Sequence, residues 1–198
     1  WLEAHGFRVG LIARPPVGDP GALTCMGKPR LFAGLTAGAL DSMVAARTAL
    51  GKRRSDDPYA PGGRAGGRPE RCLNVYGQLA RRAFGKDVIL VAGGLEASLR
   101  RFAHYDFWSD KVRRSILMDC GADLLVHGMG EGVILGIAQC LAPMAGRSRA
   151  DKLQALAQLP GIVWRSPRSA PLPRHAYSLP ASEELSREPR VHAQAFAE

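Results

Sequence analysis

The feature that constrains this chain most is a strand pattern used twice. Asp87-Val88-Ile89-Leu90-Val91-Ala92 is an apolar run that breaks at Gly93-Gly94. Ala122-Asp123-Leu124-Leu125-Val126-His127 does the same and breaks at Gly128-Met129-Gly130-Glu131-Gly132. Apolar runs without polar alternation suit strands buried on both faces, so helices must cover both sides of the sheet. The expected fold is therefore α/β, a mainly parallel, doubly wound, Rossmann-like sheet with a Pro-rich C-terminal extension.

The rest of the chain is read around those two runs. Residues 1–6 read as a helix end closed by Gly6, and 7–13 as a strand stopped by Arg14-Pro15-Pro16. Residues 30–36 are a further strand, and Asp41-Ser42 caps a helix expected to run to about Leu50. Residues 51–69 are a loop rich in Gly, Pro and Arg. Residues 70–84 form a helix with Leu73, Tyr76, Leu79 and Ala80 inward. Ser109-Asp110 reads as the start of a helix through Cys120 that turns Val112, Ile116 and Leu117 inward, with Gly121 as its stop. Residues 133–144 and 151–159 are helices, and 161–165 is a last strand. Residues 1–165 are taken as one domain; 166–198 are a linker and the start of another helix.

Composition narrows the function classes. No apolar run is long enough to span a bilayer, and no signal peptide is visible, so a cytoplasmic protein without a membrane partner is expected. Cys25, Cys72, Cys120 and Cys140 lack the short spacing of a metal clip or iron–sulfur motif, and are expected to be reduced. The net charge of +9 suits nucleic acid, an anionic cofactor or a partner domain outside this chain, and charge alone does not choose between them.

Candidate chemistry concentrates at the two glycine turns and in 93–114. The turn at Gly128, Gly130 and Glu131 resembles a phosphate-binding turn at a helix start. Val133 stands where a nicotinamide fingerprint has its last glycine, and no acid closes a strand about twenty residues on, so that fingerprint is not met. Glu131 is equally a capping carboxylate. Gly93, Gly94 and Glu96 repeat the logic; the two turns are either one lip of a cleft or two ordinary strand–helix turns. Arg100, Arg101, Lys111, Arg113 and Arg114 either pair with Glu96, Asp106 and Asp110 or hold a phosphate or carboxylate. The same cations oppose a divalent metal at His104, Asp106 and Asp110. Tyr105, Phe107 and Trp108 fit a core or an interface as well as a stacking platform. No serine or cysteine has a nucleophile elbow or a local base.

The stretch GGLEASLRRFAHYDFWSDKVRRSIL closely resembles the segment G-G-[IL]-E-A-S-L-R-R-x-A-H-Y-D-[YF]-W-S-D-K-V-R-R-S of the YgiQ-type radical SAM proteins. KPRLFAGLTAGALDSMV, SDDPYAPGGRAGGRPERCLNVYGQ and ADLLVHGMGEGVILGIA are similar to the same family's N-terminal region. The resemblance implies an N-terminal α/β domain of cobalamin-binding type ahead of a barrel that binds a [4Fe-4S] cluster and S-adenosylmethionine. In the whole protein a 5′-deoxyadenosyl radical would then abstract hydrogen from an unknown substrate. No C-x3-C-x2-C triplet occurs here, so this chain is expected to be a catalytically inactive fragment without a cofactor of its own. No residue here inherits a cobalamin ligand. The barrel of the same polypeptide is the expected partner, and the loop at 51–69 becomes an expected lid or interdomain contact. The resemblance marks Gly93, Gly94, Glu96, Arg100, Arg101, His104, Tyr105, Asp106, Trp108, Lys111, Arg113, Arg114, Gly128, Gly130 and Glu131 as candidate cofactor- or substrate-contacting residues, with none catalytic and none a metal ligand. The rival readings are a basic module whose arginines at 47–71 and 100–114 grip RNA or another polyanion, and an inert truncated product.

Overall fold

A computed structural model describes residues 1–166, 169–170 and 174–197, apart from the side chains of 189, 196 and 197. Its centre is a four-stranded sheet in the order β1 (Phe32–Thr36), β2 (Ile89–Gly93), β5 (Leu124–Val126), β6 (Ile162–Trp164). β1, β2 and β5 are parallel. The alternation of side chains along β2 supplies both layers of the core. Leu90 and Ala92 face α2 (Cys72–Phe84), α3 (Gly94–Leu99) and α4 (Ile116–Asp119), where Leu73, Leu79, Ala80, Phe84, Ala97, Ile116 and Leu117 are buried. Ile89 and Val91 face the opposite layer, where Ile137 and Leu141 of α5 (Glu131–Leu141) and Leu156 of α6 (Arg149–Leu156) pack. Helices thus cover both faces, as two apolar strand faces require.

Polar side chains pin this frame. Asp123, nearly buried, accepts Leu90 N–H at 2.8 Å, pairs with Arg81 at 2.7 Å and with Arg149, and so ties β2, α2 and α6 to the start of β5. Gly77 lets α2 approach α4 closely: a Cβ there would lie 1.7 Å from the Cys120 carbonyl oxygen. Among the described residues, no helix is long and apolar enough to cross a membrane.

Four expectations are corrected. Residues 7–13 form no strand: no neighbouring strand pairs with them, and Leu11 is 87% exposed. α1 is only Ser42–Ala46, because Arg47 turns extended and bridges to Arg53 instead of continuing the helix to Leu50. The helix expected from Ser109 is a hairpin of β3 (His104–Asp106) and β4 (Lys111–Arg113) followed by the short α4. Asp106 causes this turn by accepting Trp108 N–H and the Ser109 hydroxyl, a local alternative to helix. The sheet is mainly parallel, as expected, with β6 antiparallel to β5 at its edge. The final helix is two, α7 (Ser182–Arg187) and α8 (Pro189–Ala197), with Glu188 extended before Pro189. α7 buries Leu185 and packs against β4. The Pro-rich extension over 166–180 lies partly outside the described residues.

Candidate functional site

The parallel strands β1, β2 and β5 end on one edge of the sheet, and the chain that follows each of them builds that edge. In open α/β sheets this is where ligands gather. The two glycine turns meet there, since Ser98 Oγ donates to the Gly94 carbonyl and accepts Gly128 N–H at 3.1 Å. Gly94 has φ +81°, and a Cβ would meet Thr36 Oγ1 at 2.5 Å, so the turn closes tightly on β1. Gly93 opens α3, and Gly130 precedes α5 with Glu131 exposed in its first turn. The rim is apolar: Leu95, Leu99, Phe102 and Met129 are all exposed, Met129 by 86%.

The two glutamates that look alike in sequence have opposite environments. Glu96 is 1% exposed. It accepts Ser42 N–H at 3.0 Å and Leu73 N–H at 3.2 Å, and so holds the first turns of α1 and α2 together. Carboxylates belong at helix N-termini, where N–H groups lack partners inside the helix. Ser42 Oγ accepts Cys72 N–H at 3.0 Å. Asp41 caps α1 through Met43 and Val44 N–H and pairs with Arg100, whose other nitrogen lies 3.2 Å from Met43 Sδ.

Glu96, Arg100, His104 and Arg113 converge with Arg71, Asn74 and Asp119 around a space of about 10 Å³. That is about room for one water, and Asn74 Oδ1 is left there without a protein partner. Burial pushes the His104 pKa down, and the charges of Arg100 and Arg113 add to it, against the opposing Phe102 carbonyl and Asp106. Burial alone would raise the Asp106 carboxyl. Hydrogen bonds from Arg71 (2.6 Å) and Ser109 (2.9 Å), the Arg71 charge and Trp108 N–H outweigh it and hold the pKa below the ordinary value. This junction locks the hairpin to α1 and α2.

The remaining candidates spread outward. Arg113 and Arg114 pair with Asp119 at 3.3 and 2.8 Å. Arg101 donates to the Ser98 carbonyl and lies over the Phe102 ring. Tyr105 is exposed and donates to Asp110, which raises its pKa. Lys111 is exposed on β4.

Trp108 faces a second and larger space. A groove of about 560 Å³ is lined by Arg47, Ala49, Leu50, Gly51, Arg71, Phe107 and Trp108. The guanidinium carbons of Arg47 and Arg71 lie 5.0 and 5.7 Å from the Trp108 ring centroid. Arg47 and Arg71 are not among the candidate cofactor- or substrate-contacting residues; in sequence they only bound the basic stretch of the rival polyanion reading. The cue is the basic text at 47–54 and at 68–71, but only the turn at Arg47 brings it to Trp108. The loop at 51–69 is held by Arg68, which pairs with Asp57 at 3.3 Å and donates to the Ala37 and Leu40 carbonyls.

The cysteines do not form a metal site. Burial pushes the Cys72 thiol up to about 12, helped by Glu96, and burial also raises Cys120. Cys25 is free and exposed. Among the described residues, no group of three or more His, Cys, Asp or Glu could hold a metal.

A family model described as radical SAM N-terminal matches residues 1–198. The UPF0313 protein of Thermotoga maritima is 48% identical over 196 residues, which is 99% of this chain and 33% of that protein. The UPF0313 protein of Geobacter sulfurreducens is 46% identical over 196 residues, 99% of this chain and 31% of its own length. That of Vibrio cholerae serotype O1 is 55% identical over 141 residues, 71% and 18% respectively. The chain spans about a third of the length of the first of these relatives. No solved structure matches significantly.

Proposed function

The chain belongs to the radical SAM N-terminal family, and on that premise we propose that it is the N-terminal accessory domain of a longer YgiQ-type radical SAM enzyme. The observation that carries this reading is the family match along the whole chain together with relatives about three times its length. The family implies a [4Fe-4S] cluster and S-adenosylmethionine. The residues present do not fit a cluster, because two of the four thiols are buried with raised pKa values and, among the described residues, no group of three or more His, Cys, Asp or Glu could hold a metal. In this reading cluster and S-adenosylmethionine are held by the barrel of the same polypeptide, and no reaction step runs through this chain.

Its contribution is shape. Glu96, Asp41, Arg100 and the Asp106 turn make the strand-end edge rigid, and a preorganised edge loses little freedom when a partner docks. The apolar rim of Leu95, Leu99, Phe102 and Met129 then faces the barrel or its substrate. All four arginines of 100–114 are already engaged by Asp41, Asp106, Asp119 or the Ser98 carbonyl, which weakens the case for a polyanion grip by that segment.

The test is anaerobic reconstitution with iron and sulfide, in parallel for the full-length protein and for this chain alone. The full-length protein should take up iron and, with dithionite, convert S-adenosylmethionine to 5′-deoxyadenosine; this chain should retain none of the iron. Stoichiometric, cysteine-dependent iron on this chain, or a reconstituted full-length protein that forms no 5′-deoxyadenosine, would sink the reading.

A further inference from the structure

We infer that the groove between Arg47, Arg71 and Trp108 is a binding site for a phosphate-class oxyanion carried on a planar or apolar body. The inference is independent of where the cluster sits, and its test needs no iron.

Charge is the first reason. Glu70 is shared by Arg47 (3.2 Å) and Arg53 (3.8 Å), and Asp106 by Arg71 (2.6 Å) and Arg113 (3.7 Å). Arg113 and Arg114 also share Asp119. In this network of described residues five guanidinium groups face three carboxylates, an excess of two positive charges. Two of those cations lie within 6 Å of a single indole ring, where they repel each other. An anion of charge near −2 placed between them would balance the network.

Unsatisfied donors are the second reason. Arg47 Nε and Trp108 Nε1 are both buried without a hydrogen-bond partner, and both residues line the groove. Buried donors without acceptors are rare in folded proteins, and each costs its desolvation. Both lack an acceptor, and neither lacks a donor. An oxyanion supplies several acceptors at once.

Shape is the third. A volume of about 560 Å³ is larger than a bare ion needs and falls in the range of small-molecule sites. Leu50, 96% exposed, and Phe107 flank the groove and offer an apolar surface to the body of the ligand. Arg71, which lines the groove, has a left-handed backbone, with φ +55° ahead of α2. A non-glycine residue held in that region is strained, and such strain accumulates at functional sites.

The experiment is isothermal titration of the full-length protein carrying this chain with phenyl phosphate, inorganic phosphate and benzoate. Phenyl phosphate should bind saturably and more tightly than inorganic phosphate or benzoate. Arg47→Gln should weaken it about tenfold, the weight of one charge-assisted hydrogen bond. Trp108→Phe keeps a ring under the arginines and loses only the indole N–H, so it should weaken binding about threefold. It also keeps the test decisive if Arg47→Gln does not fold. Arg82→Gln removes an exposed charge elsewhere and should change nothing. No saturable binding of phenyl phosphate up to about 10 mM, affinity equal for benzoate, unchanged affinity in Trp108→Phe, or an equal loss in Arg82→Gln would each overturn the inference.

Discussion

Replacing Glu96 by Gln tests whether the buried carboxylate is the joint between α1 and α2. The wild-type side chain accepts one N–H from each helix, at 3.0 and 3.2 Å, in a site 1% exposed. Glutamine has almost the same shape, yet its amide can accept only one of those N–H groups and must turn an NH₂ toward the other. The variant therefore loses one charge-assisted bond, leaves one buried N–H orphaned and weakens the second bond. Together these cost about 2–4 kcal/mol. Against a domain stability of roughly 5–15 kcal/mol that is a large fraction, and it corresponds to a fall in Tm of about 5–15 °C for a chain of this size. Urea denaturation of this chain followed by far-UV circular dichroism reads the loss as a lower midpoint. Glu131→Gln is the control, because Glu131 is exposed and a surface change should alter the stability by less than ~0.5 kcal/mol. A Glu96→Gln midpoint indistinguishable from wild type, or a Glu131→Gln loss of equal size, would refute the reasoning.

Gly77→Ala should destabilise the chain by ~3 kcal/mol in the same assay, since the new Cβ would meet the Cys120 carbonyl oxygen at 1.7 Å. Helix propensity returns only about 1 kcal/mol, so a stabilised variant would contradict the close approach of α2 and α4. His104 should make stability fall with acid. Its folded pKa lies below the ordinary 6.5, so the unfolded chain takes the proton first. The contribution is present above 6.5 and is lost as the pH drops through 6.5 toward the folded value. The urea midpoint measured from about pH 7.5 to about pH 5.5 should fall less steeply in His104→Gln than in wild type, and equal slopes would contradict the assignment.

Local text was readable wherever one residue type leaves one option. Asp41 before Ser42 caps α1, and the glycines at 94, 121 and 128 mark turns in which φ is positive. The hairpin at 104–113 was not readable. Ser109-Asp110 is as good a helix start in isolation as Asp41-Ser42, and the choice fell to Asp106 and to the cover that α7 lays over β4. Nor could the strand at 162–164 declare its direction, since a short apolar strand reads the same both ways and only pairing with β5 sets it antiparallel. Residues 7–13 carry strand propensity with no strand to spend it on.

The sequence by itself determined a sheet covered on both faces, the glycine-ended strands and the family, because apolar runs, caps and a long motif are properties of consecutive residues. Only the tertiary structure decided which of two similar glutamates is a buried joint, and that Arg47, Arg71 and Trp108 share one groove. Those facts depend on distances between segments 23 or more residues apart in the chain, and the packing of α1, α2 and the hairpin on one sheet edge sets them.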